Sequence, residues 1–146
     1  MKRVLFPFLT LLISTSQGQN NPETVTIGTQ VWMKENLNVS TFRNGDTLPE
    51  AKTEKEWKEG GENKTPAWCY YNNKTENGEK YGKLYNWYAV KDRRGLAPQG
   101  YHLPGDAEWT TLTKFLGGEE AAGTKMKSSV GWEKNDNGTN TSGFTG

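Results

Sequence analysis

The chain has 146 residues with 18 basic and 17 acidic side chains, and its formal net charge is +1. This near-neutral balance gives no electrostatic reason to expect binding to nucleic acid or to an acidic membrane surface, and the length suits one domain. Only 32% of the residues are hydrophobic while 12% are aromatic, so we expect aromatic side chains to supply much of the core.

The N-terminus has the pattern of a secretory leader. Two basic residues precede an apolar run from Val4 to Ile13, and small polar residues follow it. About ten apolar residues are too few to span a membrane, which takes about twenty, so the pattern favours a signal peptide. We predict a signal peptide at residues 1–19, a single domain at residues 20–146 without a membrane span, and a secreted or cell-surface location. The alternative is that the apolar run forms a buried strand or helix.

The first elements predicted after the leader are two strands and a turn. Thr24–Ile27 and Gln30–Lys34 flank Gly28-Thr29, which predicts a β-hairpin. Phe42–Asp46 reads FRNGD and predicts a turn, because its Asn-Gly pair tolerates positive φ.

The next part of the chain is mostly polar. Ala51–Gly60 predicts a polar helix that Trp57 anchors to the core. Ala67–Tyr71, AWCYY, predicts a strand, and Asn72–Lys80 predicts a polar loop.

Two amphipathic patterns follow. Within Gly82–Asp92 the large apolar side chains follow i, i+3, i+4 spacing, which places them on one face of a short helix; they are Leu84, Trp87, Tyr88 and, less regularly, Val90. Pro104 favours an extended Tyr101–Leu103 before it and a second helix after it. The buried stripe predicted for that helix is Trp109, Leu112, Phe115 and Leu116, and Gly117-Gly118 predicts its end.

The last predicted elements are a helix and a long turn. Glu119–Ser128 predicts a short helix with Ala121, Ala122 and Met126 facing inward. Asn135–Ser142 is rich in Asn, Gly and Thr, which is typical of a turn.

Four sequence blocks carry a resemblance to a known family. They are GTQVWMKENLNV at Gly28–Val39, YGKLYNWYAV at Tyr81–Val90, GLAPQGYHLPGDAEWTTL at Gly95–Leu112 and LGG at Leu116–Gly118. In this order they resemble the Fibrobacter succinogenes major paralogous domain, a family of exported bacterial domains without an assigned activity. HLPGDAEW is also distantly similar to the sulfatase-modifying enzymes, which have a variant of the C-type-lectin-like fold. The structural motif residues are Trp32, Trp87, His102, Pro104 and Trp109.

The resemblance and the predicted elements together indicate the fold class. We expect a loop-rich α+β fold with short antiparallel strands and two or three short helices, C-type-lectin-like in a loose sense. The resemblance also implies further strands after Gly146, so we expect the domain to be incomplete at its C-terminus. It places a threonine where Gly105 stands, and we expect Asp106 to cap the following helix instead.

The reactive side chains do not form a recognisable catalytic set. Cys69 is the only cysteine, so it lacks a partner for a disulfide or a paired-cysteine metal site, and we expect it to be buried. His102 is the only histidine, and a Cys–His nucleophile pair is the alternative to a structural role. We predict no enzyme activity, no metal and no cofactor. Calcium binding by the carboxylates is the open alternative, at Asp46, Asp92, Asp106, Glu108 and Asp136.

The aromatic side chains offer the most specific functional hypothesis. Exposed Trp and Tyr rings can stack on sugars, and six such residues lie in or beside predicted loops. We predict an exported or cell-surface, non-catalytic module for binding or interaction, with a polysaccharide or another surface protein as partner. The alternatives are a structural surface protein without a discrete ligand and a sulfatase-modifying enzyme. The candidate binding residues are Trp57, Trp68, Tyr70, Tyr71, Tyr81 and Tyr85.

Overall fold

The predicted α+β class is confirmed by the structure, a computed structural model that describes residues 22–145. In chain order, the elements of the described part are strands β1 (Thr24–Ile27) and β2 (Gln30–Met33), helix α1 (Glu54–Glu62), strand β3 (Trp68–Cys69), helix α2 (Gly78–Tyr81), strand β4 (Leu84–Tyr85), and helices α3 (Trp87–Val90), α4 (Asp106–Phe115) and α5 (Glu119–Met126). Short 3₁₀ turns occupy Tyr71–Asn73, Thr75–Asn77 and Glu133–Asn135. No helix within residues 22–145 is long and apolar enough to cross a membrane. The predicted signal peptide lies outside the described residues.

The predicted N-terminal hairpin is confirmed. β1 and β2 are antiparallel, and Thr26 lies opposite Val31 and Val25 opposite Trp32. Gly28 makes the turn at φ 63°, and a Cβ at this position would lie 2.9 Å from the ring of Phe115. A side chain is therefore disfavoured at Gly28 both by the backbone conformation and by the packing of α4 against the turn.

A second small sheet forms in the middle of the chain. β3 and β4 are antiparallel, with Trp68 opposite Tyr85. On its other side Trp68 donates from its backbone N–H to Pro49 at 3.0 Å and accepts from the N–H of Ala51 at 2.7 Å. The predicted strand Ala67–Tyr71 is therefore shorter than expected, but it is hydrogen-bonded on both edges.

The first buried cluster surrounds β3. It contains Phe42, Leu48, Trp68, Ala89 and Leu96, and the indole Nε1 of Trp68 donates to the backbone carbonyl of Leu48 at 2.9 Å. Phe42 belongs to the predicted FRNGD turn, yet only 2% of its surface is exposed. Phe42 and Trp68 therefore supply the aromatic side chains that the composition predicts for the core.

Helix α1 begins three residues later than the sequence pattern predicts because Thr53 caps it. The hydroxyl of Thr53 accepts from the N–H of Glu56 at 3.2 Å, and the carboxylate of Glu56 accepts from the N–H of Thr53 at 3.2 Å. This capping box fixes the start of the helix at Glu54. Trp57 packs against the small cluster of Ala51, Ala67 and Cys69, as its predicted role as an anchor requires.

The helix predicted over Gly82–Asp92 is wrong in its start and in its buried face. Leu84 and Tyr85 form β4, and α3 is a single turn whose N-cap is Asn86. The Asn86 side-chain oxygen accepts from the N–H of Ala89 at 2.9 Å and from the N–H of Ala67 at 3.1 Å. This amide ties the helix start to the strand before it, and the turn buries Ala89 while Trp87 is 61% exposed.

The predicted helices α4 and α5 are confirmed, and they build the second buried cluster with β1. This cluster contains Ile27, Leu112, Leu116 and Ala122. Gly117 and Gly118 end α4 with φ values of 101° and 97°, as the sequence predicts. Phe115 and Trp109 differ from the prediction of a buried stripe, because 64% and 38% of their surfaces are exposed. The ring of Phe115 covers Gly28 instead of entering the cluster.

The segment after α5 returns along the end of that helix. Thr139 donates from its backbone N–H to the carbonyl of Thr124 at 2.8 Å, Asn140 to Lys127 at 3.0 Å and Ser142 to Lys125 at 3.1 Å. The last carbonyls of a helix have no partner within it, so this segment supplies the hydrogen bonds that end α5. The predicted turn over Asn135–Ser142 therefore also serves as a cap.

Candidate functional site

The candidate site is an open groove of about 500 Å³, which we call the aromatic groove. One wall is formed by β2 and the residues that follow it, as far as Leu37. The other wall is the segment from Ala97 to Pro104 together with the first turn of α4. The groove residues used below are Gln30, Val31, Trp32, Met33, Glu35, Tyr101, His102, Pro104, Glu108, Trp109 and Phe144.

Three aromatic rings form the apolar part of the groove. The rings of Trp32 and Trp109 are 4.8 Å apart at an angle of 38°, and Phe144 meets them edge-on at 5.8 and 6.2 Å. The surface of Trp109 is 38% exposed to solvent, whereas Trp32 is half-buried. Trp109 therefore offers its indole to solvent while the other two rings hold it in place from behind.

Two polar atoms in the groove wall have no hydrogen-bond partner among the described residues. They are the indole Nε1 of Trp32 and the side-chain oxygen of Gln30, and both atoms are buried. The amide nitrogen of Gln30 donates to the carbonyl of Glu108 at 3.1 Å and so attaches β2 to the start of α4. Buried polar groups without partners are costly, and they are uncommon away from functional sites.

The carboxylate of Glu108 is hydrogen-bonded to two groups at the groove. Its Oε2 accepts from the N–H of Gly105 at 2.8 Å, and its Oε1 accepts from Nε2 of His102 at 2.5 Å. The bond from Gly105 and the bond from His102 lower the pKa of Glu108. The prediction that Asp106 caps α4 is wrong: the N-cap is Gly105, and Asp106 is already the first helical residue. Glycine has no hydroxyl to cap the helix, so only the Glu108 half of the capping box is present.

Four of the five motif residues line the aromatic groove: Trp32, His102, Pro104 and Trp109. Trp87, the fifth, lies elsewhere on the surface, where the ammonium of Lys91 is 5.0 Å from the centre of its ring. The sequence blocks therefore include most of the groove, although the sequence argument treated these residues as structural. Four further groove residues are not among the predicted site residues: Gln30, Glu35, Tyr101 and Phe144. The first three lie within the blocks that carry the family resemblance.

None of the six predicted binding aromatics lines the aromatic groove. Trp68 is buried, and Trp57, Tyr70 and Tyr85 are half-buried within the packed interior. Tyr71 and Tyr81 are 50% and 41% exposed, and their rings meet edge-on at 5.7 Å. Tyr70 also borders a second cavity of about 330 Å³ with Glu50, Lys52 and Asn73 among its lining residues.

Cys69 and His102 occupy different parts of the molecule. Cys69 is buried beside Ala51 and Ala67, and burial raises the pKa of its thiol. His102 is exposed at the aromatic groove, whose lining does not include Cys69. The geometry therefore does not form the nucleophile pair that the sequence left open.

Among residues 22–145, no three His, Cys, Asp or Glu side chains lie close enough together to hold a metal ion. Within the run Asn135–Gly138, two side chains have partners in the protein. The carboxylate of Asp136 pairs with the ammonium of Lys127 at 2.5 Å. The side-chain oxygen of Asn137 accepts from the N–H of Trp132 at 3.1 Å. These contacts close a turn of the backbone.

Asp92 is also engaged without a metal. The Arg94 guanidinium donates to both of its carboxylate oxygens, at 2.9 and 2.8 Å, and to Asp46 at 3.1 Å. The same guanidinium lies 3.9 Å from the centre of the Phe42 ring. Arg94 therefore joins two of the predicted calcium ligands to the first buried cluster.

Comparison with known families gives one match. The family model described as the Fibrobacter succinogenes major domain matches residues 25–146. No curated protein and no solved structure matches the chain.

Proposed function

The chain belongs to the Fibrobacter succinogenes major domain family, and we propose that it is an exported or cell-surface, non-catalytic binding module whose ligand occupies the aromatic groove. The observation that carries this proposal is the exposed indole of Trp109, held against Trp32 and Phe144 beside an open groove. A rigid aromatic side chain at the edge of a concave surface provides large contact area at low entropic cost.

The groove lining supports binding more than catalysis. His102 and Glu108 are the titratable pair in it, but one oxygen of Glu108 is already bound to the N-terminal backbone of α4. Cys69 is buried away from them. A nucleophile, a base and an orienting group within hydrogen-bond reach are the minimum for covalent catalysis, and the groove does not bring such a set together.

Export is supported by the sequence of the first nineteen residues. Their basic start, short apolar run and polar end are the pattern of a secretory leader. Replacing two leucines of the apolar run, Leu11 and Leu12, with arginine is expected to retain the protein in the cytoplasm of a bacterial host. Secretion of the variant at the level of the unaltered chain would contradict export through this leader.

Binding is tested with the purified chain and two kinds of probe. Insoluble polysaccharides, namely cellulose, xylan and peptidoglycan, form one set, and a phage-displayed library of random nine-residue peptides forms the other. Both classes contain groups that pack on an indole ring, so both belong in the test. Changes in tryptophan fluorescence report binding, and substitution of single tryptophans locates it.

The matched variants are Trp109→Ala and Trp87→Ala. Both remove an exposed tryptophan, but only Trp109 lies in the aromatic groove. We expect Trp109→Ala to weaken binding at least tenfold and Trp87→Ala to leave it unchanged. If no probe of either class binds, or if both variants bind as the unaltered chain does, a structural surface protein becomes the better description.

A further inference from the structure

We propose that the aromatic groove accepts an extended polypeptide segment, which adds to the N-terminal hairpin as a third strand beside β2. This inference rests on the proposed binding function and names the chemical class of its ligand. It is carried by the hydrogen-bonding direction of β2 and by the position of the groove along that strand.

The ladder of the hairpin shows which backbone groups of β2 face outward. Lys34 donates from its N–H to the carbonyl of Glu23 at 2.9 Å, so this pair is of the hydrogen-bonded kind. In an antiparallel ladder the two kinds of pair alternate. The pairs that contain Met33 and Val31 are therefore the non-hydrogen-bonded ones, and the backbone groups of these two residues point away from β1.

The groove runs along this outward edge. Four consecutive residues of β2 line it, from Gln30 to Met33, and no residue of β1 does. Successive side chains of a strand point to opposite faces, so side chains on one face alone would contribute only alternate residues to the lining. Contact with all four fits a groove along the edge where the N–H and C=O groups of Val31 and Met33 emerge.

These backbone groups have no partner within the described part of the chain. No hydrogen bond between residues 22–145 reaches the N–H or C=O of Val31 or Met33. An open strand edge beside a concave surface is a template for another strand, because a polypeptide supplies donors and acceptors at the matching repeat. A sugar chain has no such repeat at the spacing of a strand.

The lining also indicates what the segment carries. Its apolar positions would face Trp32 and Trp109, the two rings in contact on one side of β2. The groove lining contains no Lys or Arg, and within residues 22–145 Glu35 makes no ion pair. We therefore expect the bound segment to carry apolar side chains at alternate positions and a basic residue near Glu35.

The first experiment varies the ligand and leaves the protein intact. The peptide selected from the nine-residue library is synthesised in two N-methylated forms, each with one alternating set of backbone amides methylated. Strand addition requires the set that faces β2, so one form is expected to lose at least tenfold in affinity and the other less than threefold. Equal tolerance of both modifications would overturn the inference, because side-chain recognition alone would then explain binding.

The second experiment varies the strand edge. Val31→Pro removes the outward N–H of β2 without removing a hydrogen bond of the hairpin, and Thr26→Pro does the same on the outer edge of β1, directly opposite. Peptide affinity is expected to fall at least tenfold in Val31→Pro and to stay within threefold in Thr26→Pro. Equal affinities in two folded variants would count against β2 as the acceptor. Folding of each variant is checked by circular dichroism.

Hydrogen exchange separates this inference from the proposed function. Bound peptide is expected to protect the amides of Val31 and Met33 from exchange at least tenfold. If a polysaccharide binds in a Trp109-dependent manner and no peptide is selected, the binding function stands and strand addition is wrong. If neither class of probe binds, both proposals fail.

Discussion

The hydroxyl of Tyr85 both donates to the backbone carbonyl of Val39, at 2.8 Å, and accepts from the backbone N–H of the same residue, at 2.7 Å. Val39 precedes the predicted FRNGD turn, and Tyr85 ends β4. One side chain therefore satisfies both backbone groups of a residue that belongs to neither sheet. Burial is the main reason that the pKa of Tyr85 rises to about 12.

Tyr85→Phe is expected to lower the free energy of unfolding by about 1–3 kcal/mol, because it leaves two partly buried backbone groups of Val39 without a partner. Urea denaturation followed by fluorescence measures the change. Tyr71→Phe is the control, since Tyr71 is 50% exposed and keeps its ring contact; its effect should stay below about 0.5 kcal/mol. Equal losses in the two variants would show that the Tyr85 hydroxyl is not the cause.

Gly138→Ala is expected to destabilise the protein by about 1–3 kcal/mol through overpacking. A Cβ at Gly138 would overlap the carbonyl oxygen of Lys127 and lie 2.6 Å from that of Thr124. Gly123→Ala is the matched change within α5, where a Cβ meets open space. It should stabilise the protein by up to about 1 kcal/mol, because alanine is the better helix former. Thermal unfolding of both variants tests the pair, and a stable Gly138→Ala would mean that the returning segment is not packed as described.

At the N-cap of α4, two substitutions of Gly105 are expected to differ in their effect on stability. Gly105 has φ −92° and ψ 174°, which threonine adopts without strain, and a Cβ there would lie 4.0 Å from Glu108. Gly105→Thr adds the missing hydroxyl cap, whereas Gly105→Ala supplies no cap. The two variants should differ by about 1 kcal/mol, with threonine the more stable. Chemical denaturation decides this, and a more stable alanine variant would rule out capping at this position.

Stability is expected to depend on Asp92 at acidic pH. The two bonds from the Arg94 guanidinium hold the pKa of Asp92 at about 2, below its usual value of 3.8. The unfolded chain therefore binds this proton more readily, so the contribution of Asp92 is complete only above about pH 5 and is lost progressively as the pH falls through the native pKa of about 2. In urea denaturation between about pH 5 and about pH 2, the free energy of unfolding of Asp92→Asn should fall less with decreasing pH than that of the unaltered chain. An unchanged pH profile would contradict the role of this pair.

Local signals predicted the N-terminal hairpin and helix α4 well. The hairpin depends on Gly28, and the limits of α4 depend on Pro104 and Gly117, all of which act through the nearby backbone. The start of α1 was also visible, because Thr53 and Glu56 form a capping box in the sequence. The predicted start at Ala51 lies three residues before the start that this cap fixes at Glu54.

The middle of the chain depends on distant partners and was predicted less well. Asn86 ends β4 and begins α3 because its side chain reaches Ala67, nineteen residues earlier, and this contact overrides the apolar spacing around it. The aromatic groove is similar, since Trp32, Trp109 and Phe144 come from three separate segments. Their proximity follows from the packing of α4 against the hairpin, and no spacing within a single segment contains that information.

The second buried cluster determines the order in which the chain becomes protected during synthesis. Ile27 packs against Leu112, Leu116 and Ala122, which leave the ribosome long after it. A two-stranded hairpin is at best marginally stable alone, and closing a long loop must precede its burial. During translation we therefore expect the N-terminal hairpin to stay unburied until α5 is complete, whereas the buried residues of the cluster around Trp68 all lie between Phe42 and Leu96.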